Sequence, residues 1–370
     1  MDVQIRPISS KDVETIYHLV ENILPVLNRE AWISRWHWLH EDNPWRRKDI
    51  PLGFVACAGD RLVGHLGLIP VPVRWNGGEI ICQSSETFAV DPTYQGRGIG
   101  SELASRAWNS HIVPQPVSFT ATDVSRHLFD KYGGRAAPAV VNSIRVGTLD
   151  VDALFRRLRS KGGTVWRTLR LSSIAIPAKL IARLFLKLKI RSLGDSSGWS
   201  IEQIDSGHPL LEDLCLSAFQ DNLLSVSVTP AYINWRYEDF PLSAGVSHRT
   251  ISIRDRSGEL RTAAVLGEHV HSDWGGVVGD LMELISDPEV DLSRVLACLM
   301  TYGRSRKWTA FRSAFVSPEW DRICRLAGMV RHPGSTNERT TVVKPIRMLK
   351  DTTEVFNMAS RWKLGMGCRL

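Results

Sequence analysis

The sequence predicts an α/β (α+β) protein of two units, each a central, mostly antiparallel mixed sheet flanked by helices. Three observations indicate this fold class. Runs of β-branched and aromatic residues, such as 85–90, alternate with segments of helical apolar spacing. A glycine-rich turn at 95–100 joins one such strand to a helix. The chain of 370 residues exceeds what one hydrophobic core usually serves, and patterns of its first half return after residue 199.

The first elements are a strand, a helix and a tryptophan-rich segment. Residues 3–7 alternate as a strand does, and the apolar residues of 13–24 recur at helical spacing. Residues 30–45 hold four tryptophans, namely Trp32, Trp36, Trp38 and Trp45. Each tryptophan is interpreted either as a wall of an acceptor pocket or as a core residue that packs this segment onto the sheet.

The centre of the first half is the glycine-rich turn. Two hairpins are predicted before it, at 53–69 and 71–82, and the strand 85–90 leads into it. A helix follows from Ser101 to Trp108. Glycines let the backbone approach a ligand closely, and the first N–H groups of a helix carry partial positive charge, so the turn suits a phosphate or pyrophosphate. It lacks the lysine of a Walker loop and the spacing of a dinucleotide fingerprint.

Two motifs resemble the GNAT acetyltransferase family. The order Gln95-Gly96-Arg97-Gly98-Ile99-Gly100 after Val90-Asp91-Pro92 resembles the family's acyl-CoA pyrophosphate loop. The run from Ser125 to Arg135 resembles its closing helix. The resemblance covers roughly residues 3–147, in the family's order. It implies acetyl-CoA as the cofactor and an enzyme, an acyltransferase of the GNAT type.

The resemblance also implies the site residues. The candidate general base is Glu86, with the alternative that its carboxylate only pairs with an arginine. Phe129 stands where the family has a tyrosine acid, so Tyr132, one helical turn on, is the candidate substitute. It remains open whether another group or none protonates the leaving thiolate. The predicted cofactor-binding residues are Phe88, Ala89, Val90, Gln95, Gly96, Arg97, Gly98, Ile99, Gly100, Ser101 and Phe129.

The GNAT unit is assigned to residues 1–147, and residues 148–198 are predicted to be a basic amphipathic linker. Cations recur there every four residues beside apolar residues, at positions 179, 183, 187 and 191. One interpretation is a helix between units whose apolar stripe packs on its neighbours while the cations are solvated. The other is weak contact of residues 179–191 with an anionic membrane surface.

Residues 199–345 are predicted to form a degenerate GNAT-like unit, and 346–370 a C-terminal tail. Residues 233–237 are similar to 33–38, and residues 281–288 are similar to 86–92. The second of these segments continues directly into Glu289-Val290-Asp291 with no glycine loop. We therefore do not expect this unit to bind coenzyme A.

Composition limits the partners. The formal charge of +7 suits an anionic ligand but does not establish nucleic-acid binding, and no nucleic-acid partner is expected. Cysteines and histidines lack metal-ligand spacing, so no metal is expected. The first residues do not resemble a signal peptide and no apolar run reaches membrane-spanning length, which predicts a cytoplasmic protein.

The expected function is transfer of an acetyl group from acetyl-CoA to a primary amine of a small molecule, such as an amino sugar or a secondary metabolite. Three alternatives stay open. One is O-acetylation, and another is a non-catalytic CoA-sensing module that docks to an anionic surface. The third is an acetyltransferase acting on an amine of a protein or of a tRNA-linked group. The sequence does not indicate the oligomeric state.

Overall fold

The protein is described here by a computed structural model that covers residues 2–23, 28–75, 78–109, 111–136, 144–161, 172–218, 224–241, 246–314, 316–331, 340–343 and 362–363. Two mixed sheets flanked by helices make up this part of the chain, so the predicted fold class is confirmed. Part of the predicted linker, 162–171, and nearly all of the predicted tail lie outside the described residues.

The helices of the described chain are short, except for one in the linker. They are α1 (Val13–Glu21), α2 (Arg29–His40), α3 (Ile99–Trp108), α4 (Asp123–Lys131), α5 (Val151–Lys161), α6 (Ser172–Ser192), α7 (Pro209–Ser217), α8 (Pro230–Ile233), α9 (Leu292–Ser305) and α10 (Pro318–Leu326). Among the described residues, none of these helices is both long and apolar enough to span a bilayer.

The first sheet has the order β1-β2-β3-β4-β5-β15-β6, with β9 beside β3 and β16 beside β9. Its pairs are antiparallel except β4 with β5 and β16 with β9. The strands are β1 (Val3–Pro7), β2 (Gly53–Ala58), β3 (Arg61–Trp75), β4 (Gly78–Val90), β5 (Pro116–Ala121), β6 (Arg135–Ala136), β9 (Leu224–Val226), β15 (Thr340–Val343) and β16 (Trp362–Lys363).

The second sheet has the order β8-β10-β11-β12-β13-β7-β14. Its one parallel pair among the described strands is β12 with β13. Its strands are β7 (Ile144–Thr148), β8 (Ser200–Ile204), β10 (Ser247–Arg254), β11 (Leu260–His271), β12 (Gly276–Ser286), β13 (Ala310–Ala314) and β14 (Val330–Arg331).

The two predicted hairpins differ from the observed strands. β3 runs without a break through Pro70 and Pro72, and β4 is one strand from Gly78 to Val90. β2 pairs with β3 only as far as Gly67, so the two prolines do not interrupt that ladder, while the pairing with β4 continues to the turn. The predicted interruptions at 70 and at 83–84 are therefore absent.

The second sheet contains one strand from the first half of the chain, β7, and the first sheet contains three described strands from the second half, β9, β15 and β16. β7 pairs with β13 and β14 in the second sheet, and β15 pairs with β5 and β6 in the first. The predicted division at residue 147 falls inside β7. The division into domains stays a prediction. Because the sheets exchange strands, neither sheet consists only of residues from one side of position 147.

A hydrophobic core connects the two halves. Trp38 of α2 stacks on Trp235 at 5.3 Å between ring centroids. The indole of Trp38 donates to the carbonyl oxygen of Trp235 at 2.7 Å, and the indole of Trp235 donates to the carbonyl oxygen of Trp38 at 3.1 Å. The guanidinium of Arg236 lies over the ring of Trp38 at 5.0 Å. Trp38 is therefore a core residue, and the partly buried Trp45 packs against this core, with its ring edge-on to Trp235 at 5.6 Å between centroids.

Candidate active site

A cleft of about 1200 Å³ opens where β4 and β5 diverge. These parallel strands pair at only two positions, Gln83 with Pro116 and Ser84 with Val117. Beyond them the strands separate, and the cleft lies between residues 84–90 of β4 and residues 118–121 of β5. α1 and α2 supply a further wall that includes Trp32 and Trp36. Two of the four tryptophans thus border the cleft.

The structure brings most of the predicted site residues to this cleft. Those that border it are Glu86, Phe88, Ala89, Val90, Gln95, Gly96, Gly98, Ile99, Gly100, Ser101 and Phe129. Arg97 and Tyr132 are not among the bordering residues. Phe129 is buried, stacks on Trp108 at 4.3 Å and closes the wall formed by α4.

A β-bulge shapes β4 at the cleft. Thr87 has φ of +48°, in the left-handed region that few non-glycine residues adopt, and the β3–β4 register shifts opposite it. His65 donates from Nδ1 to the carbonyl oxygen of Thr87 at 2.7 Å, which stabilises the bulge. Every residue of β4 from Ser84 to Val90 borders the cleft, so the bulge lies in the middle of the wall that β4 forms.

Two buried histidines lie behind the bulge. Burial lowers the pKa of His65 to about 4. Burial, together with the nearby His65, lowers the pKa of His40 to about 3. His40 packs against the indole of Trp36 at 3.8 Å between centroids and hydrogen-bonds the carbonyl oxygen of Leu68 at 3.2 Å. Both rings are neutral near pH 7 and support the backbone of β3 and β4, a role that no sequence pattern indicated.

These histidines predict a loss of stability in mild acid. The unfolded chain binds protons below about pH 6.5 while the folded rings stay neutral, so the stabilisation is complete above that pH. It is lost as the pH falls toward the folded-state pKa, which is about 4 for His65. We expect the free energy of unfolding to fall by about 1 kcal/mol per buried histidine between roughly pH 7.5 and 5.5.

Urea unfolding of His65→Gln at the two pH values tests this expectation. The amide can still donate to the Thr87 carbonyl, so the variant should fold. Its free energy of unfolding should change by about 1 kcal/mol less between the two pH values than that of the unaltered protein. His127→Gln, which removes an exposed imidazole, is the control. An unchanged pH dependence in His65→Gln would contradict the assignment.

The glycine turn leads into α3. Gly96 and Gly98 have φ of +77° and +83°, which favours glycine at both positions, and Gly98 is the N-cap of α3. The first N–H groups of an α-helix have no acceptor within the helix and carry partial positive charge. At Gly100, an added Cβ would lie 3.5 Å from the ring of Phe88, so α3 approaches β4 closely. This end of the cleft suits an anion.

Arg97 lies on the outer side of the same turn. Its guanidinium donates to the carbonyl oxygen of Thr93 at 3.2 Å and lies over the ring of Tyr94 at 4.9 Å. The side chain of Asp91 accepts hydrogen bonds from Thr93 and caps the short turn that follows, as its position before Pro92 predicts. Arg97 is exposed, so its charge acts at the rim of the cleft and not inside it.

Glu86 sits inside the cleft with two hydrogen-bond donors. Arg35 and the Thr87 hydroxyl each approach Oε1 at 3.3 Å. Within the described part of the chain both hydrogen bonds to this carboxylate end on Oε1, so Oε2 is the oxygen that can accept a proton from a ligand. The arginine pair anticipated as the alternative is therefore present, and it coexists with an accessible carboxylate oxygen. Arg35 was not identified from the sequence because its contact depends on how α2 docks.

Tyr132 contacts α3 instead of the cleft. Its hydroxyl lies 2.9 Å from the Oγ of Ser101 and donates to the Ser101 carbonyl oxygen at the same distance. Lys131 also donates to the Ser101 hydroxyl, at 3.3 Å. Ser101 borders the cleft, so Tyr132 reaches it only through that residue.

In the described parts of the chain, no group of three or more His, Cys, Asp or Glu side chains is arranged to hold a metal ion.

The sheet with diverging parallel strands, and the glycine turn at a helix N-terminus beside them, define the class of acyltransferases that use acyl-CoA. Residues 14–109 match the acetyltransferase (GNAT) family. The chain therefore contains a GNAT domain in its first half and is an acyltransferase. A search of curated sequences found no matching protein.

Solved structures share the fold at low sequence identity. A GCN5-related N-acetyltransferase from Anabaena variabilis superposes with a TM-score of 0.56 at 12% identity, over 94% of this chain and 74% of that one. A probable N-acyltransferase from Enterococcus faecalis superposes with a TM-score of 0.58 at 9% identity, and the match covers 94% of this chain and 73% of that one. N-myristoyltransferase of Saccharomyces cerevisiae, with bound myristoyl-CoA, superposes with a TM-score of 0.53 at 12% identity. That match covers 92% of this chain and 82% of the yeast chain.

Proposed function

We propose that this protein transfers an acetyl group from acetyl-CoA to a primary amine of a small molecule. One observation carries the proposal. The cleft between β4 and β5 extends from the N-terminus of α3, which suits an anion, to the carboxylate of Glu86, which suits a base. A donor with a pyrophosphate at one end and a reactive carbonyl at the other fits such a site.

The proposal assigns the donor to the glycine turn and the edge of β4. The N–H groups of residues 96–101 would hold the pyrophosphate, with Arg97 adding a cation at the rim. The β4 residues Phe88, Ala89 and Val90 lie beyond the point where pairing with β5 ends, so their backbone can hydrogen-bond an extended amide chain. The family match supports this assignment.

Glu86 is proposed as the general base. When bound, acetyl-CoA supplies the thioester carbonyl that an amine attacks. Oε2 of Glu86 accepts the proton that the amine loses, while Arg35 and Thr87 hold Oε1 in position. Backbone N–H groups near the bulge stabilise the negative charge that develops on the carbonyl oxygen. Because the hydroxyl of Tyr132 is bound to Ser101, we assign no protein acid, and the thiolate leaves without one.

The second half is proposed to be a degenerate GNAT-like unit that does not bind coenzyme A. The seven strands of its sheet, from β8 to β14, follow the same order as the path from β1 to β6 in the first sheet, while β9 and β16 of the first sheet have no counterpart. The helix α9, which corresponds to α3 in that order, is capped at its N-terminus by Asp291, whose carboxylate accepts a hydrogen bond from the N–H of Ser293 at 3.0 Å. A carboxylate therefore occupies the helix N-terminus where a phosphate would have to bind.

The test is a turnover assay with the full chain. Acetyl-CoA and longer acyl-CoA donors are mixed with amino sugars, diamines and other small amines, and release of the free coenzyme A thiol is followed. We expect acetyl-CoA turnover that depends on an amine, with the N-acetylated product identified by mass spectrometry. Binding of acetyl-CoA without turnover would favour the CoA-sensing alternative, and preference for a long acyl chain would overturn the acetyl assignment.

A further inference from the structure

The helix α6 exposes a continuous apolar stripe. Its members are at least half exposed, from 54% to 67%, which is rare for large apolar side chains in one element; they are Leu180, Ile181, Leu184, Phe185 and Leu188. On a helix of 3.6 residues per turn these positions fall within an arc of about 140°. The interpretation in which this stripe packs on neighbouring elements does not hold for these five residues.

The opposite face of α6 anchors the helix to the protein. Ile190 is buried, and Leu186 packs beside it against the core of the second sheet, as does Leu193 just beyond the helix. Because this face already satisfies the packing of the helix, the exposed stripe is not required for the fold of the described chain. An exposed apolar surface that the fold does not need indicates a binding surface.

Cations flank the stripe on both sides. Lys187 and Arg183 lie along one margin and Lys189 along the other, and Arg191 follows at the C-terminal end. The sequence of α6 contains no acidic residue. Asp152 of α5 pairs with Arg183, and with Lys179 at 2.6 Å. The ammonium of Lys189 lies 5.5 Å from the ring centroid of Phe185, so it borders the stripe directly.

We propose that α6 docks on the surface of an anionic lipid bilayer. The apolar stripe enters the boundary between headgroups and acyl chains, while Lys187, Lys189 and Arg191 contact anionic headgroups. The helix lies in the plane of the surface, since its inner face remains attached to the second sheet. The proposal is independent of the reaction proposed for the cleft.

Charge and polarity favour lipid over other occupants. A second copy of the chain would bring the same flanking cations against each other, which costs free energy. A nucleic acid would use the cations but would leave the apolar stripe without a partner. A bilayer with anionic lipids offers an apolar layer to the stripe and negative headgroups to the cations at the same time.

Flotation of the full chain with vesicles tests the proposal. We expect binding to phosphatidylcholine vesicles that contain phosphatidylglycerol, weak binding to phosphatidylcholine alone, and loss of binding as salt rises from roughly 0.05 to 0.5 M. Lys187→Gln with Arg191→Gln should lower the partition coefficient at least about tenfold, since each cation near the surface contributes about fivefold. Leu184→Gln with Phe185→Gln should lower it by a similar factor.

The matched control replaces two exposed leucines on other helices. Leu216 and Leu326 are exposed to a similar degree on α7 and α10, and Leu216→Gln with Leu326→Gln should leave vesicle binding unchanged. Circular dichroism verifies that each variant folds. Equal binding to neutral and anionic vesicles, or no binding, would overturn the proposal. So would a dimer that dissociates in the α6 variants, because a second copy of the chain would then cover the stripe.

Discussion

Glu86→Gln is expected to lower kcat for acetyl transfer by a factor of about 100 to 10,000, the range that general acid–base catalysis typically contributes. The amide keeps the size of the carboxylate and can still meet Arg35 and Thr87, but it does not accept a proton. The affinity for acetyl-CoA should change by less than about twofold, because the side chain lies at the far end of the cleft from the glycine turn. Steady-state rates and calorimetry measure the two quantities separately.

Arg35→Gln is the matched control for Glu86. If Glu86 served only as a partner for Arg35, removing either side chain would break the same 3.3 Å contact and cost the same activity. We expect Arg35→Gln to retain most of the rate, since it positions the carboxylate without taking the proton. Equal losses in the two variants would remove Glu86 from the base role.

Gly98→Asp is expected to weaken coenzyme A binding by at least about 100-fold, because a carboxylate then lies where the N-terminus of α3 would meet the pyrophosphate. The φ of +83° adds strain for any side chain, and Gly98→Asn separates that effect from charge. Asparagine has nearly the shape of aspartate and tolerates the left-handed region, and nothing lies within 4 Å of the added Cβ. We expect Gly98→Asn to weaken binding by less than about tenfold.

A truncated donor sharpens this test. S-acetylpantetheine has the thioester and the amide arm but no pyrophosphate, so Gly98→Asp should use it as well as the unaltered protein does. Calorimetry with coenzyme A and turnover with the truncated donor together separate a lost phosphate site from a damaged cleft. Equal weakening by aspartate and asparagine would show that strain, and not charge, acts at this position.

The local parts of the site could be predicted from the sequence. The strand that ends at Val90, the turn with Gly96 and Gly98, and the helix after it are encoded by adjacent residues, and the structure has them in that order. Their geometry depends on short-range preferences such as the positive φ that glycine permits.

The contacts that tune the site could not be predicted. The bulge at Thr87 depends on a one-residue shift against β3, and its support comes from His65, more than twenty residues earlier. Arg35 meets Glu86 only because α2 docks against β4. The direction of the Tyr132 hydroxyl depends likewise on how α4 packs on α3. Periodicity assigns a residue to an element but does not specify the register or docking of that element.

The exchange of β7 and β15 also affects the order in which the protein is made. β5 forms one wall of the cleft, and its far edge pairs with β15, about 220 residues later in the chain. On the ribosome, a nascent chain that ends near residue 150 therefore carries β5 with an open edge and β7 without its partner strands. Every residue that borders the cleft precedes residue 130, but the strand that covers the far edge of β5 is made only when synthesis has passed residue 343. Until then the unfinished chain depends on protection of that open edge.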